Sequence, residues 1–371
     1  MQFRNKWLAL SLCAFTCFAN TPAFALDQII RPYWSIRSSG MGGVRMTTGI
    51  FDENFFNNPA RVTANPYSKF TLIQLTGETT GTTISNVSKL TGSGDALARV
   101  AGITGDNSFG RVQLILPAYY LTSNEDRKWA IALGLITNIQ ANGLIRKSYN
   151  MNFGALVDTG PALTFGYKFL KDDALSVGAT AHVMYRVSTN PNYSLLNYVQ
   201  GTSLTLSSLG GQGGMYDFDL GATYTFAELL DFKIRAGGAI QNILGGKYDK
   251  FQFKMGSVTN YPISQPRSYG LGVAAERKQL VFLTDTVLAF ELTDVLNNPN
   301  GSFFRLVHLG AETHWKSFAF RAGINQGYLA AGFGIDFHYL TLDIATYGEE
   351  LGLNTGTFED RRYALTFGLH I

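Results

Sequence analysis

From Arg362 to Ile371 the chain alternates: Tyr363, Leu365, Phe367, Leu369 and Ile371 fall on one face of an extended strand, and Ala364, Thr366, Gly368 and His370 on the other. The same apolar and small-polar alternation recurs along most of the chain, with no separate set of helices to cover the apolar faces. It predicts fourteen strands, at 68–76, 111–121, 129–140, 161–170, 174–187, 214–226, 232–243, 267–277, 285–294, 304–314, 317–324, 328–337, 339–348 and 362–371. The links between them fall into two kinds. Long ones at 77–110, 141–160, 188–213, 244–266, 295–303 and 349–361 alternate with short ones at 122–128, 171–173, 227–231, 278–284, 315–316 and 338, and 325–327 alone is short on the long side. A membrane barrel with both termini in the periplasm alternates long outer loops with short inner turns, whereas a soluble sandwich has no reason to. The fold class expected is all-β, a transmembrane antiparallel barrel of about fourteen strands whose outer face meets lipid.

Composition narrows the alternatives. Only 15% of residues are charged, against a usual soluble value of about 25%. No uninterrupted apolar run of about 18 residues follows Ala25, which excludes spanning helices. Ahead of it, Arg4 and Lys6 form a basic start, Trp7 to Ala19 an apolar run, and Ala23-Phe24-Ala25 a small-x-small cleavage site. Residues 1–25 therefore read as a secretory leader. Leu12 before Cys13 and Thr16 before Cys17 do not make a lipoprotein box. Removing the leader removes both cysteines, and with them any disulfide, thiol nucleophile or thiolate metal site. It also takes two basic residues, so 28 basic against 27 acidic leave a net charge of +1. No stretch is basic enough for nucleic acid. The expected location is the Gram-negative outer membrane, reached through the barrel-assembly machinery by way of the C-terminal strand. Trp129 and Trp315, beside short turns, suit an interfacial belt.

Residues 26–66 do not alternate. They hold Gly40, Gly42 and Gly43 around Met41, then Asp52, Glu53 and Phe56-Asn57-Asn58-Pro59-Ala60. The glycines permit tight backbone, and the Asn-Asn-Pro turn brings side-chain amides able to satisfy buried backbone groups. That favours an ordered plug within the lumen over a loose tail, and divides the chain into leader 1–25, plug 26–66 and barrel 67–371.

These residues resemble the N-terminal hatch of the FadL/TodX superfamily of outer-membrane proteins, in which fourteen strands surround such a hatch. The stretches Arg321-Ala322-Gly323-Ile324-Asn325-Gln326-Gly327, Tyr347-Gly348-Glu349-Glu350-Leu351-Gly352 and Asp360-Arg361-Arg362-Tyr363 look more like its PorV-type and uncharacterised branches. Two features depart from the fatty-acid transporters: the final residue is Ile371, and the glycine motif is closer to the other branches. The resemblance implies passive uptake of hydrophobic molecules, long-chain fatty acids or aromatic hydrocarbons, through an outer groove, a plugged lumen and a wall defect. In the PorV-type branch it implies instead a barrel that binds envelope proteins and moves no solute.

Candidate residues follow for each part. Leu195, Leu196, Tyr198, Val199, Leu204 and Leu206 in one long loop, and Phe251, Phe253, Met255 and Tyr261 in another, could form an apolar groove or a packed cap. Pro117 inside the second strand cannot donate to the ladder and reads as a bulge ahead of a lateral opening. His182, Arg186, Asp217, Asp219, Arg235, Glu276, Glu312, Arg321, Asp336 and Asp343 lie in phase opposite the apolar positions, as structural ion pairs. Among them Arg186, Arg235 and Arg321 are the candidates to meet a ligand carboxylate. His308 and His314 share a phase with Glu312, but no Ser or Asp is tied to them by spacing, and His338 and His370 stand apart. Asp217-x-Asp219 lacks the rest of a calcium loop. No catalytic residue, metal or cofactor is expected.

Overall fold

A computed structural model describes residues 31–91, 102, 104–145, 150–189, 192–194, 210–229, 231–253, 258, 260–298 and 301–371. The leader and the loop residues Leu195, Leu196, Tyr198, Val199, Leu204, Leu206 and Met255 lie outside the described residues. The strands are β1 (Lys69–Thr80), β2 (Asn107–Leu121), β3 (Trp129–Ile145), β4 (Asn150–Phe169), β5 (Leu175–Thr189), β6 (Asn192–Ser194), β7 (Gly210–Leu229), β8 (Phe232–Gln241), β9 (Ser268–Leu280), β10 (Leu283–Thr293), β11 (Val307–Trp315), β12 (Phe318–Asn325), β13 (Tyr328–Asp336), β14 (Leu340–Glu350) and β15 (Glu359–His370). Short β6 pairs only with β4, so fourteen strands make the ring. Each pairs antiparallel with its neighbour, and β1 closes on β15 from Thr71 opposite His370 to Thr80 opposite Arg362. Beyond that register Phe70 and Ile371 exchange both backbone hydrogen bonds at 2.8 Å, so the last residue completes the seam.

The period-two pattern sets which face looks out. In β15, Tyr363, Leu365, Phe367 and Leu369 are exposed, while Ala364, Thr366 and His370 between them are buried. Large exposed apolar side chains recur this way on strands all around the ring, among them Leu133, Leu163, Phe218, Leu271, Leu288, Phe320 and Ile344. Water would penalise such a surface; hydrocarbon does not. At the short-turn end the outward side chains become aromatic: Trp129 on β3, the pairs Tyr167 with Phe169 and Tyr224 with Phe226, and Trp315 beside Phe318. Amphipathic rings at one level around the wall form an interfacial girdle.

Every predicted strand is present, but several run further than expected at the long-loop end. The link expected at 141–160 is mostly ladder, because β3 and β4 stay paired from Trp129 opposite Tyr167 to Ile145 opposite Met151. Past Ile139 the outward positions are Ala141 and Gly143, so the hydrophobic alternation fades while the hydrogen bonds continue. The link expected at 77–110 likewise carries the end of β1, a helix at Gly81–Thr91 and the start of β2. By contrast β8 is short, leaving the first half of β7 without a strand partner on that side. The chain after β8 fills the gap: Gly214 and Phe251 form a bridge, and Gln212 donates to Asn260 O at 2.9 Å.

Candidate functional site

Residues 31–66 lie inside the ring. The short helix Ile36–Gly40 packs on β12 to β15, the 3-10 turn Phe51–Phe55 on β3 and β4, and the 3-10 turn Pro59–Ala64 on β3, β4, β5 and β7. Contacts on opposite arcs of a closed wall can only be made from within it. The wall receives this segment on two shelves of small residues. Cross-strand Gly166, Gly178 and Gly221 form one: a Cβ at Gly178 would strike the Pro59 backbone, and one at Gly221 the Asn58 side chain. Gly310 and Gly323, paired across β11 and β12, form the other, where a Cβ would strike Met41 and Gly42 backbone. A Cβ at Gly40 would come within 2.9 Å of Gly332 Cα. Gly42 and Gly43 turn with φ of 68° and 86°, values that side chains disfavour. Sequence reasoning missed the shelves. Their signal is the run of small residues at inward positions on adjacent strands.

Side chains complete the seat. Asn58 accepts from Ala60 N at 3.1 Å and donates to Met46 O at 2.7 Å and to Ala222 O at 3.2 Å, while Pro59 opens the 3-10 turn. Asn57 and Ala60 are buried beside them. The Glu291 carboxylate accepts backbone N–H groups of Arg45, Met46 and Thr47 at 2.6, 2.8 and 2.8 Å, plus the Thr47 hydroxyl. Asp294 pairs with Arg31 and, at 3.7 Å, with Arg45. Glu312 accepts from Arg37 Nε at 2.9 Å and Arg321 Nε at 2.6 Å, and Arg321 also reaches Asp343 at 2.5 Å. Within the segment, burial pushes Glu53 up against the opposing pull of Arg37, and burial together with Arg235 holds the Arg61 guanidinium well below its usual range. Towards the long-loop end Arg362 bonds Glu349 at 2.5 Å and Asp360 at 2.9 Å, Arg111 bonds Glu78 at 2.7 Å, and the Arg362 guanidinium lies 3.8 Å from the Phe109 ring centre.

The candidate ligand arginines are all engaged. Arg186 is held bidentately by Asp158 at 2.6 and 2.7 Å, with its guanidinium 4.4 Å from the Tyr248 ring centre. Arg235 bonds Glu276 at 2.9 Å and Thr47 O at 3.2 Å, and Arg321 is shared between Glu312 and Asp343. His182 lies 3.3 Å from Asp219, and Asp217 accepts backbone N–H groups of Leu244 and Gly246. Arg235 and Arg321 line one cavity; Arg186 lies apart, beneath the loop after β8. Phe251 and Phe253 do come together, with ring centres 5.5 Å apart and 6.1 and 5.0 Å from Tyr185. Strand alternation puts Tyr185 on the opposite face of the sheet from Arg186, so the aromatics and the arginine do not share a pocket. At Pro117 the β2–β3 register steps from Ile115 opposite Ile136 to Ala118 opposite Gly134, so that Leu116 and Pro117, both exposed, stand against the single residue Leu135: a bulge.

Two features remain for a solute. One is a cavity of 390 Å³ towards the short-turn end, walled by Tyr33, Ile50 and Phe51 on one side and by Arg235, Glu312 and Arg321 on the other. The other is an apolar cluster within the lumen that runs from Tyr248 through Met215, Met184, Phe56 and Ile136 to Phe55, Tyr120 and Phe51.

A closed antiparallel ring, apolar outside and ionic within, defines a transmembrane β-barrel of the outer-membrane kind. No family model matches the chain, and no curated protein matches it. Among solved structures it is similar to a deltaS2S3 mutant of the TodX monoaromatic hydrocarbon channel, at 12% identity and a TM-score of 0.51, over 91% of this chain and 98% of that one. The Ralstonia pickettii toluene transporter TbuX matches at 13% identity and 0.50, over 91% and 97%. The P. putida toluene transporter TodX matches at 12% and 0.50, over 91% and 98%. The likeness is one of fold along nearly the whole length.

Proposed function

We propose that this barrel admits hydrophobic small molecules, of the long-chain fatty acid or aromatic hydrocarbon class, passively across the outer membrane, through a lumen plugged by residues 31–66. The observation that carries this reading is the apolar cluster from Tyr248 to Phe51, which joins the long-loop end to the 390 Å³ cavity. A pore for ions or sugars would have no use for such a lining. The names of TodX and TbuX, a hydrocarbon channel and toluene transporters, support the same class. In this reading capture falls to Phe251 and Phe253 with Leu195, Leu196 and Tyr198 of the neighbouring loop. A ligand carboxylate reaching Arg186, Arg235 or Arg321 would have to displace one of the barrel's own. The leader 1–25, both termini on the periplasmic side, lipid around the wall and delivery by the barrel-assembly machinery belong to the same proposal, as does the absence of catalysis.

The test is uptake of labelled oleate and toluene by cells with and without the chain, alongside a variant lacking residues 26–60. The chain raises uptake, and the deletion admits hydrophilic antibiotics that the intact barrel excludes. No added uptake sinks transport; unchanged leakage after the deletion sinks the plug. A partner-binding barrel that moves no solute is the second reading, favoured by the buried Arg37, Glu312 and Arg321 cluster and by exposed Phe303 and Phe304 beside a long loop. An envelope protein co-purifying in equal amount, with an empty lumen, would establish it.

A further inference from the structure

The two arcs of the wall hold the lumenal segment by different forces. Among the described residues, each ion pair that ties residues 31–66 to the wall ends on Asp294, just after β10, or on Glu312 of β11. Glu291 of β10 adds its carboxylate cradle on the same arc. Across β2 to β7 the polar ties are neutral: Trp34 N to Gln113 at 2.8 Å, Thr63 to Ser176 at 3.1 Å, and Asn58 to Ala222 O at 3.2 Å. Apart from the Arg111 guanidinium of β2, 5.2 Å from the Trp34 ring centre, the rest of that contact is apolar and aromatic. Phe56 lies 5.3 Å from His182, Phe55 5.8 Å from Tyr120, and Phe51 5.5 Å from Tyr120, between ring centres.

We propose that the seam between residues 51–63 and the inner faces of β2 to β7 is the solute-binding path of this barrel, and that the arc β9 to β12 is a fixed anchor. The proposal rests on the hydrophobic-uptake reading and adds the route. Parting the seam exchanges apolar contacts with the segment for apolar contacts with the solute, like for like. Parting the opposite arc would strand buried carboxylates and guanidiniums, which nothing in an apolar solute replaces. The seam also has two ends. Tyr248 closes it under the loop after β8, and Tyr33 and Phe51 belong both to the apolar cluster and to the cavity wall, so a solute that passes them enters the cavity.

No cysteine follows Cys17, so engineered pairs form without competitors. A Cβ at Gly166 would lie 2.6 Å from Val62 Cγ1, and Val62→Cys with Gly166→Cys therefore staples the seam shut on β4. Thr63→Cys with Ser176→Cys, replacing hydroxyls already 3.1 Å apart, does so on β5 with nearly no change in shape. The control is Met46→Cys with Gly270→Cys on the anchored arc. A Cβ at Gly270 would lie 3.0 Å from Met46 Cγ, and the atoms it would strike harder, Sδ and Cε, are those the substitution removes.

Cells carrying each oxidised variant, with staple formation confirmed by gel mobility, are assayed for uptake of labelled toluene and oleate. Either seam staple cuts chain-dependent uptake about tenfold, reversibly with dithiothreitol, while the anchor staple leaves it within about twofold, because only one arc has to move. Undiminished uptake with the seam stapled, or an equal loss with the anchor stapled, overturns the route. No chain-dependent uptake by the unmodified barrel overturns the transport reading itself, and the route with it.

Discussion

Glu312 accepts from two guanidiniums, one on the wall and one on the lumenal segment, and so shows how far single residues can be read from sequence. Strand phase alone places Glu312, Arg321, Arg235, Glu276 and Asp343 on the lumen side, and there the structure has them paired. Their partners were not legible, because pairing depends on register and on the path of a segment with no period of its own. Asp158, which holds Arg186, fell in an expected loop, and Arg37 in a stretch read only for its glycines. The Glu312→Gln change leaves Arg37 and Arg321 facing a neutral amide, and breaking a buried pair from one side costs about 3–5 kcal/mol. The temperature at which the protein loses its folded gel mobility should fall, and leakage of hydrophilic antibiotics should rise. An unchanged transition would mean that solvent reaches these charges.

At the scale of elements, fourteen strands and the alternation of long and short links were visible because hydrocarbon demands an apolar residue at every second position. Strand length was not. Past Ile139 the outward positions of β3 become Ala141 and Gly143, and there the backbone ladder shows that the hairpin continues. The Gly210-Gly211-Gln212-Gly213-Gly214 run was legible as glycine-rich but not as a landing for the loop after β8. There, a Cβ at Gly213 would strike the Tyr248 carbonyl, and one at Gly214 the Phe251 ring. Gly213→Val should therefore lift this loop from β7 while the ring of strands stays closed. Limited proteolysis checks it: cleavage within 244–266 should accelerate strongly with the heat-modifiable gel shift retained, and equal cleavage rates would contradict the packing.

For the whole molecule, the inference from alternation to barrel to membrane needs only that the outward side chains touch lipid and the inward ones the chain's own interior. The girdle of Trp129, Tyr167, Phe169, Trp315 and Phe318 marks one edge of that contact, and the pairing of β1 with β15 joins the two ends of the sheet. What the sequence could not show is how the lumen is filled, since that depends on small residues meeting across strands far apart in the chain. The most direct measurement is a spin-label scan of Arg362 to His370 in liposomes, one cysteine at a time in the leaderless chain. Labels at Tyr363, Leu365, Phe367 and Leu369 should collide freely with oxygen dissolved in the bilayer, and labels at Ala364, Thr366, Gly368 and His370 should not. Equal collision rates at all positions, or the opposite phase, would contradict a barrel clothed in hydrocarbon.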